Sequence, residues 1–355
     1  MRARGWDVGI LGATGIVGQH LLRRLERHPW FRVTWLGASE RSAGRRYGDL
    51  PWLLNGPAPE RVRDLVVETP IAGRAPQLVF SALDAGVAAT LEPAFAAAGH
   101  TVVSNTRTFR MEPDVPLIVP EINPEHAALI AAQRRVRGWR GAIVTNPNCS
   151  TVFLAMALAA LRPFNPRRVA VTTLQAASGA GYPGVPSWDL LGNVIPFIDG
   201  EEQKIESETP KILGTLGDDR VVNHDVRISA TATRVPVLDG HTEAVSVEFA
   251  ERPDADALAE AFRTFKGRPQ RADLPSAPAA PIVLLDEPNR PQPRLDADRG
   301  DGMSVSVGRL RPCPVLHYKF VALGHNTVRG AAGAAILNAE LLAEDGWLGD
   351  GVTPW

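Results

Sequence analysis

The stretch LGATGIVG, residues 11–18, joins an apolar run, DVGIL, to a helical pattern, IVGQHLLRRLERH. Glycines at 12, 15 and 18 let the chain turn sharply from strand to helix. They also let the backbone approach a pyrophosphate, whose charge the helix N-terminus stabilises. A strand, a glycine turn and a helix in that order point to an open α/β sheet. The spacing is GxxGxxG rather than GxGxxG, so a glycine-rich turn without a ligand is the competing reading.

The segments that follow keep this alternation. FRVTWLGAS, QLVFSALD, HTVVSN and PLIVPEIN read as further strands, and AALIAAQRRV as a helix near the last of these. From Arg168 the texture changes to longer runs with period-two alternation: RVAVTTLQAAS, HDVRISATATRVPV and HTEAVSVEFA. Such runs suit a mixed or antiparallel sheet with one covered face. LPSAPAAPIV and DEPNRPQPRLD read as loops, and NTVRGAAGAAILNAELLAEDG as a strong helix. At 355 residues and 45% hydrophobic content, the chain suits two domains.

Lys plus Arg number 38 and Asp plus Glu 39, so no net field favours nucleic acid or an anionic membrane. Two cysteines exclude a disulfide framework and suit a reducing, cytoplasmic setting. No secretory signal is expected, and no apolar run approaches the roughly 18 residues that span a bilayer.

The second strand bears on the ligand. An NAD site usually carries an acidic residue near that strand's end, to hold the ribose hydroxyls. Here Ser39 falls at that position, followed by Arg41 and Ser42. Hydroxyls and a guanidinium suit a 2′-phosphate, which favours NADP. Glu40 argues the other way, but its side chain should point away from that of Ser39 if the strand continues so far.

TNPNCSTV raises the chemical question. Pro147 and Asn148 end a strand, Ser150 and Thr151 open a helix, and Cys149 lies between. A thiol in a first helical turn meets the positive dipole end and free N–H groups, which favour thiolate and could hold an oxyanion. Equally, free cysteine is among the most buried residue types. Gln175 ends a strand before a glycine-rich turn, and Arg234 and His241 flank another. An arginine fork suits a substrate carboxylate, and a histidine suits proton transfer. Glu201 and Lys204 lie one helical turn apart in GEEQK, and SNTRTFRM offers Arg107 and Arg110. Cys313 lacks a helix-start setting and reads as structural. The eight histidines are scattered, with no metal-ligand spacing.

Together NPNCST, LQAASGAG, GEEQK and RVPVLDGH resemble the aspartate-semialdehyde dehydrogenase family, in the branch typical of archaea and fungi. GILGATGIVGQ, ASERSAGRRYGD, NVIPFIDGEEQKIESET, GMSVSVGRLR and LGHNTVRGAAGAAILNAELL carry the same likeness, in order, from about Val8 to about Leu342. The resemblance implies a Rossmann-type dinucleotide-binding domain and a second α+β domain on a mixed sheet, serving catalysis and dimerisation. It implies NADPH-dependent reduction of 4-phospho-L-aspartate to L-aspartate 4-semialdehyde with release of phosphate.

By position, Cys149 matches the nucleophile, His241 the acid/base residue and Gln175 the residue that orients the thioester. Arg234 matches the carboxylate binder and Glu201 the partner of the amino group. Arg110, Asn148 and Lys204 match the phosphate set. Gly12, Thr14, Gly15, Ile16 and Val17 match the pyrophosphate loop, and Ser39, Arg41 and Ser42 the 2′-phosphate site. Asn326 and Thr327 match contacts near the nicotinamide, and Arg107 has no assignment. The resemblance also implies a homodimer or homotetramer. Residues 1–148 with 326–355 would form the cofactor domain, and 149–325 the catalytic and dimerisation domain. Two rival readings are a malonyl-CoA (or succinyl-CoA) reductase on the same scaffold, and a non-redox NADP-binding or thiol hydrolase protein.

Overall fold

The computed structural model describes residues 5–348. The last seven residues of the expected cofactor domain, and the first four, lie outside the described residues.

The first sheet is parallel throughout. Its strands are β1 (Trp6–Leu11), β2 (Phe31–Gly37), β3 (Val67–Glu68), β4 (Leu78–Ser81), β5 (Thr101–Ser104) and β6 (Ala142–Thr145). They lie in the order β3-β2-β1-β4-β5-β6. β4, β5 and β6 are buried at every residue, which is why they read as unbroken apolar runs rather than alternating ones. Helices α1 (Ile16–Leu25), α2 (Ala85–Ala98) and α3 (Leu129–Arg137) belong to this layer. The strand order reverses between β1 and β4, so the turns that follow these two strands open a crevice at a switch point.

PLIVPEIN is not a strand. Leu117 makes a single bridge to Thr145, and the chain then turns, with Ile122 and Asn123 donating N–H groups to the Val119 carbonyl. Pro116 and Pro120 have no N–H to give a ladder, so this buried apolar segment fills space without pairing.

Helix α4 (Cys149–Ala160) leads into the second layer, followed by β7 (Pro166–Gln175), the short α5 (Ser187–Leu190) and α6 (Glu201–Ile212). A small hairpin, β8 (Thr215–Leu216) and β9 (Val221–Val222), precedes β10 (Arg227–Arg234) and β11 (His241–Phe249). Then come α7 (Ala255–Thr264), α8 (Arg268–Arg271), β12 (Ile282–Leu285), α9 (Pro293–Asp296), β13 (Val305–Pro312) and β14 (Tyr318–Gly324). β12 thus begins inside the stretch expected to be loop, and α9 is one turn within DEPNRPQPRLD. The second sheet runs β10-β7-β11-β14-β13-β12 and is mixed: its outer pairs are parallel and its inner ones antiparallel. β7 alternates buried and exposed residues along most of its length, so one face packs on α4 and α6 while the other is open.

The C-terminal helix starts later than its sequence pattern suggests. Val328–Ala332 forms a π-helical turn, and α10 proper spans Gly333–Glu344. α10 is buried at nearly every residue and packs with Val103, Leu78 and Phe80 in the first core. No helix among the described residues is long and apolar enough to cross a membrane.

Candidate active site

Cys149 is the first residue of α4, and Asn148 is its N-cap. The Asn148 Oδ1 accepts N–H groups from Ser150 at 2.9 Å and Thr151 at 3.1 Å. A cap of this kind contributes about 1 kcal/mol and fixes where the helix starts. The other end of the same amide donates to Glu201 Oε1 at 2.7 Å. Asn148 therefore reaches a phosphate with its side chain only by leaving Glu201 or uncapping the helix.

Three neighbouring strands end at one edge and supply the next groups. Arg234, last in β10, is in register with Gln175, last in β7, and His241 is first in the adjoining β11. The Ala176 peptide ties them: its carbonyl accepts from Arg234 Nη1 at 2.8 Å, and its N–H donates to His241 Nδ1 at 3.0 Å. The Gln175 amide donates to Glu201 Oε1 at 3.0 Å. Glu201, first in α6, also accepts from Lys204 Nζ at 2.9 Å, one turn on. Burial works against the Glu201 carboxylate, but Lys204, Asn148 and Gln175 outweigh it and hold it below the usual range.

Glu208, a residue the motifs did not flag, holds Arg110 at 2.9 Å and the Asn148 N–H at 2.6 Å. Lys211, one turn further, donates to the carbonyls of Arg110, Glu112 and Val115. Residues 201, 204, 208 and 211 form one helical stripe of charge. That spacing is the signal in the sequence that carries Glu208 and Lys211 along with Glu201 and Lys204.

The expected thiolate is not the resting state. Burial, with Glu201 adding to it, pushes the Cys149 thiol up to about 12, against the pull of Arg110, Arg234 and Lys204. Desolvation here outweighs the helix start. Burial and Arg234 push His241 down to about 3, so its ring is neutral. Because Nδ1 accepts the Ala176 N–H, the neutral ring carries its proton on Nε2. Nε2 is buried with no hydrogen-bond partner among the described residues and lies 2.9 Å from where a Gly179 side chain would begin. His241 therefore sits beneath Gly179, and a larger residue at 179 would collide with it and with Arg234.

A cavity of about 620 Å³ brings together Cys149, Gln175, Glu201, Lys204, Arg234, Arg110, Asn148, Asn326 and Thr327. Arg107, left unassigned in the sequence, lines it too. The π-helical turn forms its back wall, where a Cβ on Gly330 would come within 2.7 Å of the Cys149 Cβ. π turns of this kind are often found at functional sites. Asn326 ties two loops, accepting from the Gly240 N–H at 2.8 Å and donating to Ser178 Oγ at 2.8 Å.

Ile16, Val17, Asp84 and Asn105 are shared with an adjoining cleft of about 800 Å³, lined also by Gly12, Thr14, Gly15 and Ser39. Gly12 is left-handed at φ 76°, and a Cβ there would meet the Ala82 carbonyl oxygen at 2.5 Å. The Gly15 N-cap has no side chain to satisfy the first N–H groups of α1, which leaves them available to an anion. These features fit a dinucleotide pyrophosphate. Arg41 and Ser42 do not line this cleft: the chain turns after β2, with the Ser42 N–H bonded to the Ser39 carbonyl at 2.9 Å. Glu40 lines it beside Ser39, contrary to the expectation that it points away, because the strand stops at Gly37. A separate cavity of about 850 Å³ lies along the C-terminal half of α1 and holds none of the assigned residues.

A glycine-turn sheet opening onto a helix-start cysteine, with an amide and an arginine at adjoining strand ends, is the arrangement that a thiol-dependent, nucleotide-linked dehydrogenase needs. Residues 7–130 match the model of the semialdehyde dehydrogenase NAD binding domain, and residues 158–329 that of the semialdehyde dehydrogenase dimerisation domain. The aspartate-semialdehyde dehydrogenase of Methanothermobacter thermautotrophicus is 52% identical, covering 95% of this chain and 99% of its own. That of Archaeoglobus fulgidus is 48% identical over 96% and 98%, and that of Cryptococcus neoformans 49% over 96% and 97%. The structure of aspartate semialdehyde dehydrogenase with NADP from Candida albicans superposes with a TM-score of 0.87, at 42% identity, over 95% of this chain and 98% of that one. The chain belongs to the aspartate-semialdehyde dehydrogenase family.

Proposed function

We propose that this chain reduces 4-phospho-L-aspartate to L-aspartate 4-semialdehyde, releasing phosphate, through a thioester on Cys149. The carrying observation is the single cavity that joins Cys149, Gln175, Glu201 and Arg234 and runs into the Gly12 cleft. Relatives with this name span nearly the whole chain.

Arg234 receives the substrate α-carboxylate and Glu201 its ammonium, which fixes the acyl carbon over the thiol. As the Cys149 sulfur bonds to that carbon, the C–O bond to phosphate breaks, and the thiol proton is balanced by the departing phosphate. His241 enters through Nε2–H, donating toward the oxygen that gathers charge. Gln175 orients the acyl group, and Arg110, Lys204 and Asn148 serve the phosphate. NADPH, when bound, would supply the hydride to the acyl carbon; the C–S bond to Cys149 then breaks to release the aldehyde, and the sulfur regains its proton from solvent. Gly12, Thr14, Gly15, Ile16 and Val17 hold the cofactor's pyrophosphate, Ser39 lies on its 2′-phosphate side, and Asn326 and Thr327 meet its nicotinamide end; Arg41 and Ser42, turned out of the cleft, are given no part in it.

The domain division follows the two sheets: residues 1–148 with 326–355 for the cofactor, 149–325 for catalysis and dimerisation. The open face of β7, where Leu174 is 39% exposed, suits a homodimer, alone or paired into a tetramer. The setting is cytoplasmic, where two unpaired thiols persist.

The test is absorbance of reduced nicotinamide with aspartate semialdehyde, phosphate and NADP. A phosphate-dependent rise supports the reading. No rise, together with oxidation of NADPH by malonyl-CoA, overturns it.

A further inference from the structure

We propose that Arg107 adds an uncommitted cation beside Arg110 and Lys204 at the leaving phosphate and so selects an acyl phosphate over an acyl thioester. This rests on the acyl-phosphate reaction above. Four cationic side chains line the cavity: Arg107, Arg110, Lys204 and Arg234. Three are already held. Arg110 pairs with Glu208 at 2.9 Å and donates to the Asn105 carbonyl at 2.8 Å. Lys204 pairs with Glu201 at 2.9 Å, and Arg234 donates to the Ala176 carbonyl at 2.8 Å. The Arg107 guanidinium has no hydrogen bond or ion pair among the described residues, and the residue is exposed at the cavity wall.

Its placement suits the leaving group. Arg107 Nη1 lies 3.6 Å from where a Cβ on Gly200 would sit, at the N-cap of α6. That cap has no side chain, so the guanidinium rests against the start of the helix that carries Glu201 and Lys204. The cavity also holds Asp84, Asp199 and Glu201, so a phosphate dianion needs a cation not already committed to a carboxylate or a carbonyl. An exposed arginine at the mouth also lets the product leave to solvent. An acyl thioester brings no phosphate to the reacting carbon and gains nothing from this contact.

The test is steady-state oxidation of aspartate semialdehyde by NADP, with inorganic phosphate varied and arsenate as a second oxyanion. Arg107→Ala should raise KM for phosphate, and for arsenate, by roughly tenfold or more, with KM for NADP and aspartate semialdehyde within about twofold of wild type. Arg107→Lys should recover part of the loss, because lysine keeps the charge but not the fork. Wild-type thermal stability in each variant excludes misfolding, as an exposed side chain leads one to expect. A phosphate KM unchanged in Arg107→Ala, or raised in common with every other KM, overturns the assignment of Arg107 while leaving the reaction standing. An inactive wild type overturns the reaction itself.

Discussion

Arg329 and Glu121 form a bidentate ion pair, at 2.8 and 2.5 Å, with no solvent exposure on either side chain. Arg329 Nη2 also reaches the Met156 sulfur, at 3.2 Å, in the helix that Cys149 begins. The next residue, Gly330, lies against Cys149. Arg329 thus ties the π-helical turn to the Glu121 segment and, through Met156, to α4. Arg329→Met leaves a buried carboxylate alone and should destabilise the fold by about 3–5 kcal/mol, read from denaturant unfolding. Adding Glu121→Gln should restore part of that loss, since the uncompensated charge is then gone. A single variant as stable as wild type would show that the pair does not hold the turn.

Gly330→Ala should lower kcat at least tenfold with little change in NADP affinity, because its Cβ would come within 2.7 Å of the Cys149 Cβ. An unchanged kcat would mean that Cys149 tolerates displacement.

The two thiols should part in their reactivity. Burial raises Cys149 to about 12. Cys313 is lowered, chiefly by the Leu316 N–H, at 3.4 Å from its sulfur. Without substrate, iodoacetamide should therefore label Cys313 first near neutral pH. Labelling of Cys149 should climb about tenfold per pH unit until the pH nears the thiol's own value. Peptide mass spectrometry across pH distinguishes this from the reverse order.

Much of this architecture is written locally. The glycine turn at Gly12, the alternation of β7 and the cap at Asn148 each depend on neighbours a few residues away, so a single sequence shows them. The misreadings have a common cause, which is tertiary context. PLIVPEIN has strand composition, but its prolines deny it a ladder. Glu40 enters the cleft because the chain turns after Gly37, which residue alternation does not reveal. The helix start at Cys149 suggested a thiolate, yet burial by distant segments decides the proton. The Arg329–Glu121 pair acts across 208 positions of chain, beyond any local pattern, and the partners of Glu208 and Lys211 lie 60 to 101 positions away, although their helical spacing from Glu201 is legible.

Glu243 is a further case of this kind. It is fully buried on β11, opposite Thr173 of β7, and neither carboxylate oxygen has a hydrogen-bond partner among the described residues. Burial, reinforced by Glu201, raises it well above 4.5. An acid raised in the folded state holds a proton there that the unfolded chain releases, so stability falls as pH rises from about 4.5 toward the folded value. Glu243→Gln removes this term. It should stabilise the protein near neutral pH relative to wild type, the difference closing as pH falls to about 4.5. A difference independent of pH would place an ionised carboxylate at 243.

The central claim is a covalent acyl-enzyme on Cys149. Enzyme free of nucleotide, mixed with 4-phospho-L-aspartate, quenched in acid and digested, should carry an aspartyl group on the peptide that contains NPNCST. Cys149→Ala should carry none while still binding NADP, and Cys313→Ala should be labelled like wild type. An unlabelled wild-type peptide, together with turnover retained in Cys149→Ala, would contradict the thioester mechanism.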